Sequence, residues 1–296
     1  MRYLGGISRI VGFVVLIAAL GCVVDPVLAQ GSGPLEPGDG VFDMRRIPEL
    51  IGIILFFMAL GIAAFLAQRD VPITLRPLPP LNAIDDAVGR ATEQGTPVVY
   101  ITGWGGDMAR PTTMASMVVL GQVAQRAAEY NCRLMMPSHD PLVVSVAQET
   151  VSQAARAAGH PDWYRADDIA FVSQSQLGYS AAVDGIMARE RPGAVFLLGT
   201  FEGEALILAE TANRTGAVTI AGTDSTIQLS FLLVACDYTL IGEELFAASG
   251  IVSGDRRILS AIMAQDWLRY LIIAFVLVGA VLAAFSVTDI GAAVSR

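Results

Sequence analysis

The chain contains no lysine: all 19 of its basic residues are arginine. That excludes a Walker A phosphate loop, which needs its lysine, and any Schiff-base or pyridoxal-phosphate lysine. Histidine and cysteine are nearly as scarce. The two histidines (His139, His160) and three cysteines (Cys22, Cys132, Cys236) show neither CxxC nor HExxH spacing, so no metal site is expected. Cysteines so far apart read as free thiols of a reducing compartment. Charged residues make up only 16% of the chain and the formal net charge is −9, which speaks against a nucleic-acid partner. GxGxxG and GxSxG are both missing, so there is neither a dinucleotide fingerprint nor a nucleophile elbow, and no cofactor is expected.

Apolar residues are abundant, at 54%, which points to membrane segments. Residues 1–29 read as a signal peptide or signal-anchor helix: Arg2 and Arg9 precede the apolar run Ile10 to Val24, and Val27-Leu28-Ala29 ends it with an acceptable cleavage site. Residues 30–46 form a Gly/Pro-rich, acidic external linker. Residues 47–66 are apolar enough to span the roughly 30 Å of a bilayer core, with Glu49 at the interface of the first turn. Residues 255–285 supply an amphipathic stretch and a last transmembrane helix, and 286–296 an external tail. Arginines near the span ends orient residues 70–254 toward the cytoplasm, in a multi-pass protein of the inner (plasma) membrane whose first partner is the bilayer.

Between the spans the chain alternates. Apolar strand-like runs at Val98–Thr102, Arg133–Met136, Ile169–Val172, Ala194–Leu198, Ala217–Ile220 and Tyr238–Ile241 are separated by helical stretches. Pro72, Pro77, Pro79 and Pro80 read as a stiff extended linker, and Asn82 as the cap of a first short helix. Such alternation predicts an α/β domain with a doubly wound parallel sheet of about six strands. Two helical stretches, Met114–Val119 and Ser230–Cys236, have hardly a polar face. Either their own domain covers them or they form a subunit or membrane contact, so a homo-oligomer or a membrane-protein partner is expected.

Ligands of open parallel sheets sit at the carboxyl ends of the strands. Here those ends offer Thr102, Gly103, Trp104, Gly105, Gly106, Ser138, Ser173, Thr200, Thr223 and Ser225 as candidate ligand-binding residues. Glu202, Asp224 and His139 are the candidates for acid–base work, with Glu204 a further carboxylate of the same crevice. The competing reading is that serine, threonine and aspartate here cap helix N-termini. Trp104 either stacks on a ligand or closes the sheet end.

The runs ITGWGGD (101–107), AGTDST (221–226) and GEELFAASGIVSGD (242–255), followed by a terminal apolar segment, resemble an uncharacterised family of bacterial membrane proteins. The resemblance implies a membrane-tethered, cytoplasmic Rossmann-like domain of unknown function and carries no activity or site residues with it. Together these readings predict an integral membrane protein, not an enzyme, whose α/β domain mediates homo-oligomeric or partner assembly with a small ligand as an option. The alternative is a membrane-anchored enzyme acting on a small polar or anionic substrate at the strand ends.

Overall fold

A computed structural model describes residues 78–255 continuously and a few scattered helical positions on either side. The chain divides into two units, one of residues 1–74 with 260–296 and the other Leu75–Leu259. Among the described residues no helix is long and apolar enough to cross a membrane. The segments expected to do so, 47–66 and 267–285, lie outside the described residues apart from isolated helical positions, as do the expected signal segment and external tail.

The larger unit opens on α1 (Pro79–Gln94). Pro79 and Pro80 belong to the helix rather than to a linker, and Leu78, not Asn82, is the cap residue. The first turn has no use for the N–H that proline lacks, and proline's fixed φ is already helical. Ala83, Ile84, Ala87, Val88 and Ala91 form its buried stripe, and Gly95 ends it in the left-handed conformation.

Six strands and six further helices then alternate: β1 (Val98–Ile101), α2 (Pro111–Glu129), β2 (Leu134–Ser138), α3 (Pro141–Ala157), β3 (Ile169–Phe171), α4 (Gln176–Glu190), β4 (Ala194–Leu198), α5 (Ala205–Thr215), β5 (Val218–Thr223), α6 (Thr226–Ala235), β6 (Tyr238–Ile241) and α7 (Glu244–Ser253). The strands form one parallel sheet in the order β3-β2-β1-β4-β5-β6. This is the doubly wound architecture the alternation predicts. Helices α1, α2, α3 and α7 pack as one layer, and α4, α5 and α6 as the other. Strands β1, β2 and β4 are buried throughout. On the second face Val99, Ile101, Val195 and Leu197 meet Tyr179, Val183 and Met187 of α4, Leu208 and Ala212 of α5, and Leu232 of α6.

Two strands run further than their apolar pattern predicts. β2 passes through Pro137 to Ser138, because its pairing with β1 stops at Met135 and the missing N–H interrupts no bond on that side. β5 continues past Ile220 through Ala221 and Gly222 to Thr223. Gly222 lies between Leu198 and Leu240 of the neighbouring strands, where a Cβ would come within 3.0 Å of each. The two apolar helical stretches have opposite fates. Met114–Val119 is largely covered within its layer, although Met114 itself is exposed, whereas α6 buries only Leu232.

Candidate functional site

The order of the strands reverses between β1 and β4, and a crevice usually opens where the loops after those two strands part. Here the loops are interlocked. Gly103 (φ 79°) lies against the Thr200 carbonyl, and Gly199 (φ 155°) against the Thr102 carbonyl. A side chain at either position would run into backbone. A Cβ on Gly105 would meet the Thr200 methyl at 2.9 Å, and one on Gly106 the Thr102 carbonyl at 2.7 Å. For Gly103, Gly105 and Gly199 the close approach is to the opposite loop, and for Gly106 it is to the chain's own turn.

A buried carboxylate fastens the junction. Glu204, only 2% exposed, precedes α5, where the helix dipole favours negative charge. Its Oε1 accepts the backbone N–H of Trp104 (2.8 Å) and of Glu202 (3.3 Å), and its Oε2 accepts from the Gln176 amide at 2.9 Å. Asp224 makes a second clasp, taking the hydroxyls of Thr112 (2.7 Å) and Thr200 (3.2 Å). Beneath them the Tyr100 hydroxyl donates to the Ser116 carbonyl, and the Ser116 hydroxyl to the Leu198 carbonyl, which ties α2 to the ends of β1 and β4.

Trp104 closes the sheet end. Its backbone N–H goes to Glu204, its indole N–H to the Gln174 carbonyl (2.9 Å), and its ring lies 6.1 Å from that of His139. Loops after β2, β3 and β4 therefore all meet at Trp104 of the β1 loop. The strand-end hydroxyls have local uses. Ser138, Ser173 and Thr223 each accept the backbone N–H two residues on, of Asp140, Ser175 and Ser225, in the same short turn repeated at three strand exits. Side-chain capping falls to Asp140, which accepts from the Leu142 N–H, while Ser225 precedes α6 without such a bond. The Thr102 and Thr113 hydroxyls are buried with no protein partner among the described residues.

Among the described residues the acid–base candidates have separate partners. Glu202 is exposed and contributes its backbone N–H to Glu204, Asp224 is held by threonines, and no hydrogen bond joins either side chain to His139 among the described residues. Nor do three metal-ligating side chains converge there. Gln176, Tyr179 and Thr112 belong to the junction without having stood out in the sequence. Nothing marks them there, because each acts through a partner more than 25 positions away or from inside a helix. Both described cysteines are free; burial raises the Cys132 thiol and pushes Cys236 up to about 12, which makes both poor nucleophiles.

His139 stands edge-on to Tyr179 with ring centroids 5.8 Å apart, and burial holds its imidazole below the ordinary value against the opposing pull of Asp140, Glu204 and Asp107. In the unfolded chain the group titrates at about 6.5. Below that pH the unfolded chain binds more protons than the folded one, so stability is full above the window and falls as pH falls through it. His139→Asn should flatten the pH dependence of the urea midpoint between about pH 5 and 7; an unchanged slope would remove His139 from the account.

An open parallel α/β sheet whose switch point is closed by the protein's own carboxylates defines the class. Residues 37–294 match the family described as a domain of unknown function, DUF6754, and the chain belongs to that family. No curated protein and no solved structure matches the chain.

Proposed function

We propose that this protein is a membrane-anchored assembly module, whose cytoplasmic α/β domain joins copies of the chain, or a membrane-protein partner, through α6. The supporting observation is α6 itself: Ile227, Phe231, Leu233 and Val234 are exposed, Val234 by 90%, on a helix with no charged residue. It is the one charge-free helix among the described seven, on a chain of net charge −9, so copies can meet there without like-charge repulsion. Exposed Tyr238 and Ile241 of the edge strand β6 extend the apolar surface. Strand addition is disfavoured, because β6 is short and Glu244 Oε2 occupies the Ile241 N–H at 2.8 Å. The contact is therefore between side-chain faces. The closed switch point argues in the same direction, away from turnover of a small substrate.

Native mass spectrometry of the full-length chain in detergent tests this. A discrete oligomer is expected. Burial of a large apolar side chain is worth about 1.5–3 kcal/mol, so Phe231→Ser with Val234→Asp should weaken association on the order of a hundred-fold or more and release smaller species. A monomeric parent, or an oligomer indifferent to both changes, would reject the proposal.

A further inference from the structure

The carboxyl edge of the sheet carries a second, independent pattern. Helices α2 to α6 each return antiparallel to the strands, so their first turns ring that edge. Every one of them exposes a large apolar side chain there: Met114, Leu142, Leu177, Leu206 and Ile227, with Leu142 at 59% and Leu177 at 80%. Four of the five occupy the second helical position. A single exposed leucine needs no explanation, but five around one rim do. First turns favour acidic or capping residues, and folding gains nothing from apolar groups left in water.

Inside the rim the surface is acidic. Asp107, Asp140, Glu202 and Asp224 reach solvent on the strand–helix loops, and those loops hold only Arg110 and the weakly basic His139 in return. Three of the four already accept hydrogen bonds within their own loops or from threonines, which fixes their positions and leaves their charge. The floor is sealed by Glu204 and Trp104, so the edge offers a surface and not a deep cleft.

We infer that this acidic, apolar-rimmed edge is the docking surface for a cationic amphipathic segment of a partner protein. Arginine or lysine side chains of that segment would sit over the carboxylates, and its apolar side chains on the rim. Charge selects this occupant. A second copy would bring the same acidic edge to the contact, and anionic lipid headgroups or nucleic acid would be repelled. The surface is separate from the exposed face of α6 apart from Ile227, so it does not depend on the assembly reading.

The test is selection of a random peptide library displayed against the full-length chain, followed by titration of the enriched peptides. Enriched sequences should combine Arg or Lys with Leu or Phe. Their Kd should rise at least about ten-fold for Leu142→Ser/Leu177→Ser and, separately, for Glu202→Arg. Affinity should fall as salt is raised from about 50 to about 300 mM. All three positions are exposed, so the variants should keep the parent's urea midpoint, and the second variant covers a failure of the first. Acidic or uncharged winners, no enrichment over the bare support, or peptides that bind all variants equally would overturn the inference. So would displacement of the peptides by short-chain phosphatidylglycerol but not phosphatidylcholine, which would reassign the surface to lipid.

Discussion

Glu204→Ala should cost the domain about 3–5 kcal/mol, the largest loss expected from any single polar side chain at the switch point. The alanine leaves the Trp104 N–H, the Glu202 N–H and the Gln176 amide without their acceptor. A buried donor left unmet costs about 1–3 kcal/mol, and the Glu202 N–H sits on an exposed loop residue, so the three do not add in full. A buried carboxylate that has no ion-pair partner among the described residues is itself expensive, and on that ground alone removing the charge would be favourable. The α5 dipole and three donors already offset that cost, and alanine keeps none of the offset while leaving the part-buried Trp104 and Gln176 donors unmet. Glu204→Gln retains the shape and one acceptor oxygen and should lose less than half as much. Urea unfolding of the full-length chain measures both, and near-UV circular dichroism should show the Trp104 signal weaken in the alanine variant. An alanine variant within about 0.5 kcal/mol of the parent would mean that the clasp contributes nothing to stability.

Gly199→Ala should be worse, at more than about 4 kcal/mol, or should yield no folded protein. The residue adopts a φ of 155°, which side chains rarely allow, and its added Cβ would enter the Thr102 carbonyl. Neither neighbour can yield: Thr102 continues the fully buried strand β1, and the Gly199 N–H is bound to the Gly222 carbonyl at 3.0 Å. The comparison is Gly185→Ala, within the exposed face of α4. Its Cβ would meet nothing within 4 Å, and the change should stabilise by up to about 1 kcal/mol through helix propensity. Equal stabilities for the two variants would show that the β1 and β4 loops are not in contact as described.

Much of the architecture was legible in the chain itself. Buried parallel strands are continuous apolar runs and their crossovers are helices, so the alternation from Val98 to Ile241 calls for a parallel α/β sheet. Strand ends were less legible. Pro137 and Gly222 look like terminators until the neighbouring ladder shows which side needs an N–H and how little room a side chain has. The match to DUF6754 over residues 37–294 agrees with the expectation of an uncharacterised family.

The use of the switch point was decided by tertiary structure. Gly103 and Gly105 say only that something approaches the backbone closely; a ligand and the Thr200 loop demand the same glycines. Glu202 and Glu204 are two loop acids separated by one residue, and a turn of the chain leaves the first in solvent and buries the second among three donors. The same holds for the apolar helices. Met114–Val119 and Ser230–Cys236 read alike, but α2 lies in the middle of its layer between α3 and α7, while α6 lies at the end of the other, packed beside α5 among the described helices. Composition and periodicity are local, and they determined which segments are strands, helices and turns. Burial and pairing depend on what lies across the sheet, so only the folded arrangement decided which glycine faces which carbonyl, which carboxylate is clasped and which apolar face remains in water.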